Sequence, residues 1–224
     1  MRIAACFFLL WGTLFASGDP LGFSPVRAAE GRSVPPTLLE LTPKEAFERL
    51  IQGNKRYTSD HLESPDRSSL RRLEVYQRQQ PFAIVVGCSD SRVPPEIIFD
   101  QGLGDIFVVR VAGQVVGPIE LDSIEYAAKY LGASIILVLG HQSCGAVNAV
   151  LKGKTAEIED VAALIEPAIK TVRRKTLENA IKANIRWVVK NLKSTPLIQK
   201  MIKEGAIDVV GGYYTLPDGK VEVL

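Results

Sequence analysis

The segment PFAIVVGCSDSR at residues 81–92 decides the fold, and SIILVLGHQSC at residues 134–144 has the same pattern. Each is a run of apolar, mostly β-branched residues that ends in a glycine and then a side chain able to bind a metal. Such runs, bounded by turn residues, predict buried strands of a parallel sheet. Ligands bind at the carboxyl ends of parallel strands in an open sheet. Cys88, His141 and Cys144 are therefore predicted to meet at one sheet edge.

Two thiols and one imidazole form a ligand set that suits tetrahedral zinc. Three protein ligands leave a fourth position for water or for a carboxylate, and Asp90 is the nearest carboxylate in the sequence. An open fourth position is typical of catalytic zinc rather than structural zinc. A disulfide between Cys88 and Cys144 is the alternative in an exported protein, although a disulfide would not need the adjacent histidine.

Asp90 and Arg92 can help such a zinc ion by orienting its bound hydroxide. Zinc with two thiolates is formally neutral, so it acidifies bound water less than zinc held by three imidazoles. Asp90 can accept a hydrogen bond from zinc-bound hydroxide and aim it at an electrophile, while Arg92 keeps Asp90 ionised and off the metal. A structural salt bridge within the loop is the alternative interpretation.

Length and charge favour one globular domain that does not bind nucleic acid. The 224 residues are 46% hydrophobic, enough for one sizeable core. After Ala28 the chain carries 25 basic and 24 acidic residues, with no basic stripe interleaved with aromatics. The one basic cluster, Arg173 to Lys175, is interpreted as a solvated helix end.

The first residues resemble an export signal. An apolar run follows Arg2, is too short to span a bilayer and has the length of a signal-peptide core. We predict a signal peptide over residues 1–28, with cleavage before Ala29 or after Gly18, and a linker over 29–37. The mature protein is then expected to be periplasmic or secreted and free of the membrane. An uncleaved N-terminal anchor is the alternative.

The remaining pattern predicts a helical arm over residues 38–80 and an α/β core over 81–224. The first arm helix is predicted to begin at the Thr42 capping box and to end at Gly53-Asn54. The thin apolar stripes of the arm indicate that it packs on something else. The predicted helices and strands are the helix over 66–80; strands over 82–86, 105–111, 135–139, 206–216 and 220–224; and helices over 93–99, 120–131, 145–151, 157–171, 176–193 and 197–203.

The sequence CSDSR, followed by GHQSCG, resembles the β-class carbonic anhydrases, and the similarity runs from about Leu39 to the C-terminus. The resemblance implies a mostly parallel sheet with an antiparallel edge hairpin and one zinc ion per chain. It implies that Cys88, His141 and Cys144 bind zinc and that Asp90 and Arg92 form the catalytic pair. It also implies a homodimer or homotetramer, with arm helices wrapped on the neighbouring subunit.

Three further residues match the substrate pocket of the plant-like, open-zinc subclass. Gln79 matches the glutamine that donates a hydrogen bond to bicarbonate, and Phe107 and Tyr126 match the aromatic wall around carbon dioxide. In the family these residues come partly from the other subunit, so the resemblance implies an active site shared across a dimer. Gln114 stands where the family usually has asparagine.

The leading functional hypothesis is reversible hydration of carbon dioxide to bicarbonate, with zinc-bound hydroxide as the nucleophile. One alternative keeps the site and changes the substrate to carbon disulfide or carbonyl sulfide. The other alternative is a non-catalytic, zinc-stabilised interaction domain, which would have no need for an intact Asp90–Arg92 pair.

Overall fold

A computed structural model of the protein describes residues 41–224. The predicted signal peptide, the linker and the first residues of the predicted arm lie outside this range. Within it, no helix is both long and apolar enough to cross a membrane. The elements are α1 (Pro43–Thr58), α2 (Ser69–Glu74), β1 (Ala83–Gly87), α3 (Pro95–Ile98), β2 (Ile106–Arg110), a 3-10 turn (Ala112–Gln114), α4 (Pro118–Tyr130), β3 (Ile135–His141), α5 (Gly145–Leu151), α6 (Glu159–Lys170), α7 (Leu177–Ser194), α8 (Pro196–Lys203), β4 (Asp208–Tyr214) and β5 (Val221–Val223).

The five strands form one sheet in the order β2-β1-β3-β4-β5. All neighbours are parallel except β4 and β5, which form the predicted antiparallel hairpin. The α/β fold predicted from the sequence is confirmed. β1 and β3 are adjacent at the centre and every residue in them is buried, as their unbroken apolar runs predict.

The prediction that the first helix ends at Gly53-Asn54 is wrong, because α1 continues through both residues to Thr58. A Cβ on Gly53 would lie 1.7 Å from the backbone oxygen of Phe99, so only glycine permits this close approach of the backbones. The buried Asn54 side chain donates to the carbonyls of Ile98 and Gly219. Gly53 and Asn54 resemble a helix stop in the sequence, but in the structure they lie within α1 and contact distant parts of the chain.

Two other boundaries also differ from the predictions. The helix predicted over residues 66–80 is only the six-residue α2, because Ser68 caps it late and none of its residues is buried to stabilise a longer helix. β3 includes His141, which was predicted to follow the strand, because β4 extends far enough to pair His141 with Tyr214.

The helix α1 packs on the core of its own chain. Ala46 and Leu50 on its inner face are fully buried, and Tyr57 Oη lies 3.3 Å from Tyr214 Oη at the end of β4. By contrast, α2 leaves Leu70, at 62% exposure, and Leu73, at 63%, open to solvent. Within residues 41–80 of the predicted arm, the most exposed large apolar side chains therefore lie in and just after α2, at Leu70, Leu73 and Tyr76.

Candidate metal centre

Cys88, His141 and Cys144 converge at the carboxyl end of the sheet, as their positions after β1 and at the end of β3 predict. Their ligand atoms all lie within 4.8 Å of one another, and all three residues are buried. Because β1 and β3 are hydrogen-bonded neighbours, the first residue past one strand lies beside the last residue of the other. Both cysteines are free thiols in the structure, so the geometry gives no support to the disulfide alternative.

The turn from His141 to Cys144 is held in place by β4. Ser143 adopts a left-handed backbone conformation, with φ of 59°, which reverses the chain between the two ligands. The backbone N–H of Gln142 donates to the Tyr214 carbonyl at 2.8 Å, and the Gln142 side chain accepts from the N–H of Leu216 at 3.1 Å. The His141 end of the turn is thus held by β4 and by Leu216, which follows that strand.

The histidine has the tautomer that a metal needs. Its Nδ1 lies 2.9 Å from the Gln142 carbonyl oxygen, which can only accept, so Nδ1 carries the proton. The Nε2 atom then presents a lone pair, and it is buried without a hydrogen-bond partner among residues 41–224. A buried acceptor that faces two thiols within 4.8 Å fits a tetrahedral zinc ion.

The sulfur atoms of Cys88 and Cys144 shift each other's pKa. A hydrogen bond from the Cys144 thiol lowers the pKa of Cys88 to about 4, and the same contact raises the pKa of Cys144. Burial opposes the first change and reinforces the second. The interaction between the two sulfurs thus favours the thiolate form of Cys88, which is the form in which cysteine binds a metal.

Asp90 and Arg92 form the predicted ion pair with two parallel hydrogen bonds. Arg92 Nε donates to Asp90 Oδ1 at 2.9 Å and Arg92 Nη2 donates to Oδ2 at 2.7 Å. The Oδ2 atom also lies 3.9 Å from His141 Nε2, so the carboxylate faces the ligand cluster. The hydrogen bonds from Arg92 hold the pKa of Asp90 well below its usual range.

Sequence reasoning missed Arg110, which holds the loop that carries both Cys88 and Asp90. Its guanidinium donates to the carbonyl of Cys88 at 2.9 Å and to the carbonyl of Asp90 at 2.6 Å. Arg110 is the last residue of β2 and pairs with Gly87 across the sheet. A charged residue that ends an otherwise apolar strand, FVVR, was the signal that could have identified it.

Sequence reasoning also missed the link from α7 to a ligand sulfur. The N–H of Gly113 points at Cys88 Sγ, 3.3 Å away, and Asn184 of α7 donates to the Gly113 carbonyl at 2.8 Å. Asn184 lies among the buried, mostly apolar residues on the inner face of α7 and is itself fully buried. A polar residue in the middle of a buried stripe is the signal that could have found it, since a buried amide needs a partner.

Gln114, the departure from the family pattern, is fully buried next to Gly113 and adopts φ of 43°. Neither polar atom of its side chain has a hydrogen-bond partner within residues 41–224. It touches no ligand directly, and its backbone N–H closes the 3-10 turn on the carbonyl of Val111.

The three predicted pocket residues lie apart from this network. Gln79 is exposed in the segment before β1, Phe107 is half-buried in the edge strand β2, and Tyr126 on α4 is 49% exposed. Within the part of the chain that the structure describes, no side-chain hydrogen bond joins them to the cluster. A single subunit therefore presents them at its surface.

Comparison with known proteins agrees with this fold and site. The sequence profile of the family described as carbonic anhydrase matches residues 83–221. Carbonic anhydrase 2 of Mycobacterium tuberculosis is 38% identical over 188 residues, which cover 80% of this chain and 91% of the relative. A carbonic anhydrase of Mycolicibacterium smegmatis is 38% identical over 192 residues, covering 81% of this chain and 93% of the relative.

Solved structures agree as well. The β-carbonic anhydrase CcaA aligns with a TM-score of 0.61 at 26% identity, over 79% of this chain and 94% of its own. The Coccomyxa β-carbonic anhydrase, solved with acetazolamide, aligns with a TM-score of 0.63 at 25% identity, over 80% and 86%. The fold and the Cys-His-Cys cluster define a zinc-binding α/β protein. The chain belongs to the β class of the carbonic anhydrase family.

Proposed function

We propose that this protein catalyses the reversible hydration of carbon dioxide to bicarbonate and a proton, with one zinc ion held by Cys88, His141 and Cys144. One observation carries the proposal: three buried ligand atoms lie within 4.8 Å of one another, beside a carboxylate that an arginine holds in a two-bond ion pair. A structural zinc site would not need that carboxylate.

Each residue near the cluster has a distinct task. Zinc, when bound, acidifies a water molecule and so supplies a nucleophile. Asp90 remains an ionised acceptor because Arg92 lowers its pKa, and its Oδ2 atom is placed to orient a proton donor at the cluster. Arg110 fixes the backbone that carries Asp90, and the two hydrogen bonds from Arg92 hold the carboxylate itself in place.

The substrate pocket is proposed to be completed by a second subunit. Gln79 would donate to bicarbonate, and Phe107 and Tyr126 would form the apolar wall, as the resemblance implies. The exposure of Tyr126 supports this assignment, since an apolar wall cannot exclude water while half of it faces solvent. The same requirement extends to other large exposed apolar residues on α2, just after it and on α4: Leu70, Leu73, Tyr76, Ile119 and Tyr130.

We further propose that the chain works as a homodimer or homotetramer, and that residues 1–28 direct it to the periplasm or out of the cell. The apolar residues on α2 and α4 support the assembly. The apolar run after Arg2 supports export.

Stopped-flow measurement of carbon dioxide hydration by the zinc-loaded protein tests the proposed reaction. Asp90→Asn should keep one zinc per chain and lose turnover by about 10²-fold or more, because the acceptor that orients the reacting water is gone. Asp60→Asn, the same change in an exposed loop, serves as the control and should leave the rate unchanged.

An inactive wild-type protein that carries one zinc per chain would overturn the assignment. The same preparation would then be assayed for hydrolysis of carbon disulfide and carbonyl sulfide. Absence of all three activities would leave the non-catalytic interaction domain.

A further inference from the structure

We propose that a basic groove on the outer face of α7 binds a small anion that carries two or more phosphate groups. The groove lies between the segment that follows α6 and the first three-quarters of α7, and its volume is about 680 Å³. That volume is in the range of small-molecule sites. It is lined by Thr171, Val172, Arg173, Arg174, Asn179, Lys182, Ala183, Arg186, Trp187 and Lys190.

The basic groove is separate from the metal centre. Successive residues of a helix are about 100° apart, which places Lys182, Arg186 and Lys190 on the side of α7 opposite Asn184. Asn184 faces inward to Gly113 and the cluster, while Arg186 and Lys190 are exposed. The thickness of the helix therefore stands between the two sites, and a ligand in the groove would not touch the zinc ligands.

The charges in the basic groove depart from the pattern of the other helices. Elsewhere the chain places carboxylates four residues from lysines, as in Lys44–Glu48, Lys170–Glu166 and Lys200–Glu204. Arg186 and Lys190 are also four residues apart, but they carry like charges, an arrangement that weakens a helix by a few tenths of a kcal/mol. Helix stability alone does not account for this pairing.

Four cations of the basic groove have no counter-ion within residues 41–224. Arg173, Arg174, Arg186 and Lys190 take part in none of the ion pairs of that range, and no acidic side chain lines the groove. Lys182, the fifth cation, is neutralised by Glu178 at 3.0 Å and by Glu222 at 2.7 Å. Four positive charges thus remain around one cavity in a chain whose net charge is only +2.

The backbone of the groove is fixed before any ligand arrives. The carbonyl of Arg174 accepts from the N–H of Thr176 at 2.8 Å and from the Asn179 side chain at 3.0 Å. Thr176 in turn caps α7 by accepting from the N–H of Asn179. The two arginines therefore leave a loop that is anchored to the helix they face, which lowers the entropy cost of binding.

The lining selects a phosphate-bearing ligand. Arginine guanidinium groups match the oxygens of phosphate with two parallel hydrogen bonds, and three of the four unpaired cations are arginines. A diphosphate or triphosphate carries a negative charge close to that of the four cations. The half-buried indole of Trp187 adds a flat apolar surface for a ring attached to such phosphates.

Isothermal titration of the zinc-loaded full chain at 0.15 M salt tests the proposal. The probes are pyrophosphate, triphosphate, adenosine triphosphate and phosphatidylcholine vesicles with 5 mol% phosphatidylinositol bisphosphate. Zinc content is measured after each titration. Equal affinity for triphosphate and adenosine triphosphate would assign an inorganic source, tighter nucleotide binding a nucleotide, and binding to the vesicles alone a lipid headgroup.

The double variant Arg186→Gln/Lys190→Gln should bind the preferred probe at least about tenfold more weakly. Without ligand it should melt no lower than the wild type, because a like-charge pair has been removed. Lys152→Gln/Lys154→Gln removes two exposed cations outside the groove and should bind like the wild type. An equal loss in both double variants would overturn the proposal, as would unchanged binding by the groove variant or no binding of any probe at 1 mM. None of these readouts depends on carbon dioxide hydration.

Discussion

Replacement of Asp100 by asparagine should destabilise the protein although Asp100 lies outside the metal centre. Asp100 follows α3, is fully buried, and accepts three hydrogen bonds. These come from Arg56 Nε at 2.6 Å and from the backbone N–H groups of Glu63 at 3.0 Å and Ser64 at 2.9 Å. Asparagine keeps the shape but turns one acceptor oxygen into a donor that faces these donors.

The expected loss in the free energy of unfolding is about 2–4 kcal/mol. Breaking a buried ion pair costs about 3–5 kcal/mol, and the estimate is reduced because Arg56 is one-quarter exposed and keeps Glu63 as a second partner. Backbone strain does not contribute, since asparagine tolerates the left-handed φ of 47° at this position. Asp60 has φ of 57° and is exposed, so Asp60→Asn is a matched control that should change stability by less than about 0.5 kcal/mol.

The pH dependence gives a second check. Burial raises the pKa of Asp100, but the bonds from Arg56 and from the Glu63 and Ser64 N–H groups outweigh it and hold the pKa below its usual value. A lowered folded pKa stabilises the protein above the unfolded value of about 3.9, and this contribution is lost as the pH falls further. Urea unfolding at fixed protein concentration should show the full difference at pH 7 and a shrinking one below about pH 4. The reasoning would be refuted if Asp100→Asn were as stable as Asp60→Asn at pH 7. It would also be refuted if the difference in the free energy of unfolding between Asp100→Asn and the wild type grew as the pH was lowered.

Three further outcomes are expected. Asn184→Leu removes an amide that supports the cluster and should weaken zinc binding by about 10–100-fold in chelator competition. In the cobalt-substituted protein the cobalt–thiolate charge-transfer band should shift. Asn179→Leu, on the opposite face of α7, should change neither the zinc affinity nor the position of the band. Gly53→Ala places a Cβ 1.7 Å from a backbone oxygen and should cost about 3 kcal/mol in urea unfolding. Gly145→Ala, with open space around it, should change stability by less than about 1 kcal/mol. Chelation of zinc should abolish turnover, and added zinc should restore the rate. The far-ultraviolet circular dichroism should stay nearly unchanged, because we expect the sheet to pack without the metal. Loss of the dichroism signal on chelation would contradict that expectation.

The fold and the metal ligands could be predicted because they depend on strong local patterns. Two unbroken apolar runs each end in a glycine followed by a metal ligand, which is Cys88 in the first run and His141 in the second. The carboxyl-terminal edge of a parallel sheet brings such ends together. The helix predicted over residues 176–193 is close to the observed α7, Leu177–Ser194, and six of its residues are buried: Ala180, Ile181, Asn184, Ile185, Val188 and Leu192.

What could not be predicted depends on contacts between distant parts of the chain. Gly53-Asn54 resembles a helix stop until Phe99 and Gly219 are seen to lie against it. Arg110 and Asn184 act on the cluster through backbone carbonyls, and no spacing in the sequence shows which carbonyl a side chain reaches. Local pattern thus identifies the ligands, and only tertiary structure identifies the residues that hold them.

The position of β4 sets the order in which the metal centre can mature during synthesis. His141 pairs with Tyr214, and the N–H of Gln142 donates to the Tyr214 carbonyl, so this support of the cluster is made about 70 residues after the last ligand. A ribosome that adds roughly 5–20 residues per second needs about 4–14 s for that stretch. During this interval His141 and Gln142 lack the strand that they contact. Metal capture in the final geometry is therefore an event of the completed chain, and a chain truncated before β4 would carry all three ligands without the site.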